Sequence, residues 1–315
     1  MKTASIVAAG LGLMLLAGDA YAWNLRGHMM VAATAWDQLT PQAKARASQL
    51  LRLNSDHGTW IKGIASSSRD KAAFTRAAGW PDDIKSRHDY TNDGEDPSVS
   101  DATLNIGYSD RLQHRYWHYI DLPFSTDGTA LIESGAPNAE TQIKLFRDTL
   151  SSPSASEEVK SYDLVWLIHM VGDVHQPLHA TSRFSKKSPK GDRGGNDVKL
   201  CAKPCRDNLH AFWDDLMGNS ESTTSAMSAA QKLPRAPAGS ADQQDVHAWI
   251  EESFAIAKKS VYTSPVGPDN GPFKLSNRYK RSADAIAVKR IAIAGARLAR
   301  LLNDAFRAPG PISSR

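Results

Sequence analysis

The sequence predicts a mainly helical, all-α domain, and three observations predict it. Apolar residues recur at helical spacing through nearly every long segment. No strand-helix-strand alternation and no internal repeat can be read along the chain. Helix-start signals, such as Thr40 followed by Pro41, stand where the apolar periods begin.

The elements follow in order. A first helix is expected in RGHMMVAATAWDQL, and a second in QAKARASQLLRL, with Thr40 as its N-cap and Pro41 in its first turn. DKAAFTRAAGW, AETQIKLFRDTL, EEVKSYDLVWLIHMVGDVH, LHAFWDDLM, QQDVHAWIEESFAIAKKSVY and ADAIAVKRIAIAGARLARLLNDAF show the same period. Two polar segments, residues 85 to 113 and 181 to 207, interrupt the helices. Each is flanked by candidate ligands that would have to converge, so both read as ordered loops beside a site and not as domain linkers. A small β-hairpin is allowed near the cysteines.

At 315 residues, 41% of them hydrophobic, the chain can bury a substantial core. The formal charge of +4 permits an anionic partner without demanding one. Lys2, the apolar run IVAAGLGLMLLAG and then Ala20-Tyr21-Ala22 read as a secretory signal over residues 1 to 22, cleaved before Trp23. The alternative, a membrane anchor, has too short an apolar run and no stop-transfer pattern. Residues 23 to 315 are then one exported domain, periplasmic or secreted. In an oxidising compartment Cys201 and Cys205 can pair across a short loop, although a lone CxxxC could instead hold metal with partners from elsewhere.

The stretch HMVGDVHQPLH, from His169 to His179, concentrates polar ligands in an apolar helix. His169 and Asp173 lie four residues apart, so one helix face carries both and they can share a metal ion. Pro177 should bend or end the helix and turn His179 elsewhere, which suits two separate metals. His175 falls on the far side from His169 and is left out. LHAFWDDLM repeats the four-residue spacing with His210 and Asp214. One such pair is usually a surface salt bridge, but two in apolar surroundings would have to bury charge unaided. His118 and the adjacent Asp82 and Asp83 join the set, each with an ordinary reading of its own as a core histidine or a helix cap. Cleavage before Trp23 would free an α-amino group of pKa about 7.7, able to chelate a metal together with its own carbonyl. His28 lies five residues on. Nitrogen and oxygen ligands without thiolate suit zinc, and about ten such groups suit three ions.

These residues, in this order and spacing, resemble the S1/P1 nuclease family over the mature chain. The resemblance rests on Trp23 with His28, WPD at 80 to 82, HYID at 118 to 121, HMVGDVHQPLH, GGND at 194 to 197 and NLHAFWD at 208 to 214. The family more often shows WAD where this chain has WPD, so the turn before Asp82 can differ and Asp83 stays open as its substitute. The resemblance implies a helical fold related to zinc phospholipase C and three zinc ions. One would be held by Asp82, His118, His169 and Asp173. A neighbour sharing Asp173 would use His28 and the Trp23 amine and carbonyl, and a third would use His179, His210 and Asp214. It further implies that Asp121 orients or deprotonates the attacking water, that Lys85 contacts phosphate, and that Asn196 and Asp197 lie in the segment that receives a nucleotide base. For those two, capping of a glycine turn is an equal alternative.

The activity implied is hydrolysis of single-stranded DNA and RNA to 5′-phosphate products, with action on 3′-nucleotides. A single strand can splay its bases into a pocket, which a duplex must first unstack to do. Lys186, Lys187, Lys190 and Arg193 could follow a phosphate backbone, although a solvated loop is the commoner explanation. No protein partner is implied and a monomer is expected. Two other readings compete: a zinc phospholipase C, whose last helix motif typically carries Glu where this chain has Asp214, and a non-catalytic exported zinc-binding protein, in which Asp121 and Lys85 would have no purpose.

Overall fold

Helix α1 (Leu25–Gln38) starts because the Asn24 side-chain oxygen accepts the otherwise orphaned Gly27 N–H at 3.2 Å. The computed structural model describes residues 23–97, 104–201 and 207–307. The signal-peptide region lies outside the described residues, as does Cys205, and with it the expected pairing with Cys201. Helix α2 (Pro41–Leu51) opens on the Thr40 cap and Pro41 at its first turn, as the sequence predicts. The short α3 (His57–Trp60), α4 (Arg69–Ala77) and the four-residue α5 (Trp80–Asp83) follow. Then come α6 (Ala139–Ser151), with Asn138 and Thr141 in a reciprocal capping box, and α7 (Glu157–Asp173), capped by Ser156. The chain continues through α8 (Leu209–Asp214), α9 (Thr223–Ala230), α10 (Val246–Ile256) and the 29-residue α11 (Asn277–Ala305). Among the described residues no helix is long and apolar enough to cross a membrane.

α7 is the axis of the molecule. From Lys160 to Asp173 every residue is buried, so beyond its first turn the helix presents no solvent face. α1, α2, α5, α6 and α11 pack around it. Trp80, Trp117 and Trp166, all fully buried, meet edge to face beside it, with Trp117 and Trp166 centroids 5.0 Å apart. A second, smaller apolar cluster of Leu178, Val198, Leu209, Trp213 and Tyr279 supports the segment after α7. Val174 caps α7 and Pro177 begins a short 3-10 turn, Pro177–Ala180, so the chain leaves the helix axis before His179.

The sheet differs from the sequence expectation. The regular strands, β1 (Pro123–Ser125) and β2 (Ser182–Phe184), pair in parallel, with Phe124 opposite Arg183. Among the described residues, the hairpin that the sequence allows near the cysteines shows as an antiparallel bridge between Lys199 and Asn208. The sheet has a positional task, because the hydrogen-bonded run Ile120 N–H to His179 carbonyl, 2.9 Å, and Ser182 N–H to Leu122 carbonyl, 3.1 Å, draws residues 118 to 122 alongside residues 179 to 182.

α1 and α11 approach closely at Gly295, where an added Cβ would fall 2.6 Å from the Thr34 side chain and 3.1 Å from the Val31 carbonyl. In a free helix Gly→Ala gains about 1 kcal/mol of propensity. Here the overlap with a packed backbone should win, so Gly295→Ala is expected to lower stability by about 1–3 kcal/mol, read as a fall in thermal midpoint. A raised midpoint would show that the two helices separate freely.

Candidate metal centre and cleft

Three backbone carbonyls decide which ring nitrogens are available. The Ala78 carbonyl lies 2.6 Å from His169 Nδ1, the His118 carbonyl 2.8 Å from His179 Nδ1, and the Gly194 carbonyl 2.7 Å from His210 Nδ1. A carbonyl can only accept, so each Nδ1 carries a proton, and in the neutral ring Nε2 is then the nitrogen with a lone pair to offer. His179 Nε2 and His210 Nε2 then face each other at 3.0 Å, with Asp214 Oδ2 3.5 Å from His210. Two lone pairs at that distance repel, and a shared cation removes the repulsion.

The same condition recurs across α7. His169 Nε2 lies 2.9 Å from His118 Nδ1, 3.2 Å from Asp173 Oδ2 and 3.9 Å from Asp82 Oδ1. The other oxygen of Asp173 lies 3.2 Å from His28 Nε2, yet neither atom has a hydrogen-bond partner, so the contact is close but wrongly aimed for a hydrogen bond. Asp173 therefore presents its two oxygens to two different sets of nitrogens. Asp82 Oδ2 and both ring nitrogens of His28 are also buried without a partner. Gly172 permits the approach, because a Cβ there would stand 2.9 Å from His28 Nδ1, and the His28 ring stacks on His169 at 3.8 Å.

Three groups result whose ligand atoms lie within 4.8 Å of one another: His28, Asp82 and His169; His118, His169 and Asp173; His179, His210 and Asp214. All these residues are buried. The donor set of imidazole nitrogens and carboxylate oxygens fits a divalent cation that accepts both, and the orphaned buried atoms fit a missing charge. Burial holds the His28, His118 and His179 rings well below their ordinary value, so they stay neutral, the form that binds metal. His169 is raised; burial opposes this, but the Asp173 and Asp82 carboxylates outweigh it. Burial raises Asp173 to about 6 and lifts Asp214 well above the carboxylate range.

The N-terminal residues join this centre. Trp23 is fully buried against Gly27 and Gly172, and the Asn24 N–H donates to the Asp214 carbonyl at 3.1 Å. Asp83 turns away to Arg76 at 2.8 Å, so Asp82 is the one of the pair at the cluster. Lys85 donates to Asp82 Oδ1 at 2.8 Å. His175 faces backward, its Nδ1 2.7 Å from the Val171 carbonyl and its Nε2 3.0 Å from Arg297.

A cleft of about 490 Å³ opens above the cluster, lined by Lys85, His118, Asp121, His179 and His210, with Asn196 and Asp197 on one wall. Burial, reinforced by Asp192, pushes the Asp121 carboxyl up to about 8. The Asn196 amide donates to the Arg193 carbonyl at 2.8 Å, the turn-capping role, while its residue also lines the cleft. Sequence reasoning missed Gln176, which donates to Asp214 Oδ1 at 2.7 Å and thereby turns the other oxygen toward His210. Its place three residues after Asp173 is the only signal it gave.

A family model described as S1/P1 Nuclease matches residues 23–307. Endonuclease 5 of Arabidopsis thaliana is 25% identical over 275 residues, covering 79% of this chain and 83% of that protein. Endonuclease 4 of the same plant is 24% identical over 322 residues, covering 94% and 93%. Nuclease P1 of Penicillium citrinum is 25% identical over 195 residues, covering 62% of this chain and 58% of its own.

The raised carboxyls give the metal-free protein a pH signature. Above about pH 7 the imidazoles of the unfolded chain are neutral, since the free group titrates near 6.5, and the raised His169 and His114 rings hold protons in the folded chain in the same sense as the carboxyls. Asp121, up at about 8, still binds a proton there that the unfolded chain has released. Stability should therefore fall as pH rises from 7 through 8, checked by thermal melts in EDTA at pH 7.0 and 8.5. A midpoint that climbs over this range would contradict the burial of these carboxyls.

Proposed function

The chain belongs to the S1/P1 nuclease family, and from that premise we propose that it is a zinc-dependent endonuclease cutting single-stranded DNA and RNA to 5′-phosphate products, with 3′-nucleotidase action. That it is a nuclease, a phosphodiesterase, follows from the family and its named nuclease relatives, which sets aside the phospholipase and storage readings. One observation carries the metal assignment: His179 and His210, each with its Nδ1 against a backbone carbonyl, bring their Nε2 atoms to 3.0 Å of each other beside Asp214.

In this reading one zinc is held by Asp82, His118, His169 and Asp173, and a second by His28 and the Trp23 amine and carbonyl, with Asp173 shared. A third is held by His179, His210 and Asp214. Zinc bound in such a cluster supplies Lewis acidity, lowering the pKa of water toward about 7 and offsetting phosphodiester charge.

The chain's own groups do the rest. Asp121, which lines the cleft with His118 and His179, takes a proton from the attacking water. Lys85 brings an ammonium to the same cleft and contacts phosphate. Asn196 and Asp197 form a wall against which an unstacked base can be bound. The Asn24 bond to Asp214 holds Trp23 near the centre, in keeping with a chain start there, and we read residues 1–22 as a cleaved signal, residues 23–315 as the domain, and the enzyme as exported and monomeric. A Cys201–Cys205 disulfide fits that compartment.

The protein beginning at Trp23 is expected to cleave single-stranded DNA and RNA, to stop in EDTA and to recover with zinc. Asp121→Asn should lower kcat about 10²–10⁴-fold while zinc content, measured by elemental analysis, stays at the wild-type level. Cleavage indifferent to chelation would remove the metal from the reading, and unaltered kcat in the variant would remove Asp121.

A further inference from the structure

Arg193 occupies a backbone conformation that its residue type disfavours. Its φ is +54°, followed by Gly194 at +59° and Gly195 at +82°, so three consecutive residues turn through the left-handed region. The two glycines adopt it without a Cβ penalty, and Gly194 has a reason to be there, since its carbonyl anchors His210. Arg193 has no such excuse. The turn holds it in place: its carbonyl accepts both the Asn196 N–H at 3.2 Å and the Asn196 amide at 2.8 Å. Buried Asp192 accepts the Arg183 and Gly195 N–H groups at 2.9 and 3.2 Å and the Tyr262 hydroxyl at 3.0 Å. Backbone strain over-determined by its surroundings in this way points to a role for the side chain it carries.

The side chain is exposed and lines the same cleft as Asp121, His118 and His210. Among the described residues its guanidinium has no hydrogen-bond or ion-pair partner. Its charge reaches the site, since it opposes the upward shift of Asp121. The other cations of the loop divide by position. Lys187 is held outside by Asp269 at 3.2 Å, and neither it nor Lys186 lines the cleft. Lys190 does line it and adds a second cation to the Arg193 wall. The lining also includes Glu95, Asp96 and Glu133, with Arg115 3.5 Å from Glu95.

We infer that Arg193 is the binding site for the backbone phosphate next to the scissile one, so that a strand is held along the cationic wall. The inference rests on the nuclease reading above. A planar guanidinium offers paired N–H donors that match phosphate oxygens, and a free one at a cleft rim supplies such a contact without first breaking another. Its consequence is a preference for chains of several nucleotides over a dinucleotide, which has only the scissile phosphate.

The test compares cleavage of (dT)10 and of the dinucleotide TpT by zinc-loaded wild type, Arg193→Gln, Arg193→Lys, Arg193→Gly and Lys187→Gln, each over a range of NaCl. For Arg193→Gln the ratio of kcat/KM on (dT)10 to that on TpT should fall about five- to tenfold. The slope of log kcat/KM for (dT)10 against log salt should become shallower by about 0.7, one single-strand phosphate contact. Arg193→Lys should keep the salt slope. Arg193→Gly, which relieves the left-handed strain, should melt no lower than wild type yet lose the slope as Arg193→Gln does. Lys187→Gln removes the same charge outside the cleft and should change neither readout. An unchanged slope and ratio in Arg193→Gln, or an equal loss in Lys187→Gln, overturns the inference alone. A wild-type protein that cleaves neither substrate overturns the nuclease reading, and this inference with it.

Discussion

The carbonyls of Ala78, His118 and Gly194 each take the Nδ1 proton of a buried histidine, and the remainder of the centre depends on that choice. A histidine free to rotate or to exchange tautomers could satisfy its second nitrogen with a neighbour. These cannot, because the accepting carbonyls are fixed by the C-cap of α4, by the residues 118 to 122 ladder and by the Gly194 turn. The result is a set of buried lone pairs and carboxylate oxygens aimed at common points with nothing neutral to receive them. Leaving such groups unpaired in a dry interior costs of the order of 1–3 kcal/mol each. The apolar bulk around α7 must bear that cost, which is consistent with tryptophans at so many of the fully buried positions.

A second layer keeps α7 from relaxing the arrangement. Where the helix ends, Ser253 donates to the Val174 carbonyl, and Arg290 donates to the His175 carbonyl at 3.2 Å. Glu252 in turn neutralises Arg290 and Arg297, at 2.8 and 2.7 Å. The turn that carries His179 away from the helix axis is thus held from behind by α10 and α11. His175, which the sequence sets on the far side of the helix from His169, belongs to this rear layer, with Arg297 against its Nε2. Burial together with the two arginines keeps that ring neutral.

Much of this was legible in the sequence, for reasons that particular elements make clear. The helices announce themselves because an apolar stripe at 3.6-residue spacing and a capping side chain are both local, as at Thr40-Pro41. The ligand pairs are legible because a four-residue spacing on a helix is itself a distance. What was illegible is non-local. Nothing within PFS or SRF announces that these three-residue strands, almost sixty positions apart, pair in parallel. The choice between Asp82 and Asp83 depends on where Arg76 points, and the role of Gln176 depends on an aspartate in another helix. The left-handed backbone of Arg193 had no glycine to advertise it.

The clasp at the start of the chain has a further meaning in terms of chain topology. The Asn24 side chain reaches Asp215, 191 positions away, and its backbone N–H holds the neighbouring Asp214. His28, Asp82 and His169 come from distant parts of the chain and form one ligand group, so a cation held there ties those parts together much as a disulfide would. A cross-link closing so long a loop removes several kcal/mol of freedom from the unfolded ensemble, about 4.7 for a loop of 100 residues. Unlike a disulfide, this tie can be withdrawn without chemistry. Metal supply would then govern the lifetime of the fold as well as its turnover, and scarcity of the ion would expose the chain to proteolysis long before heat did.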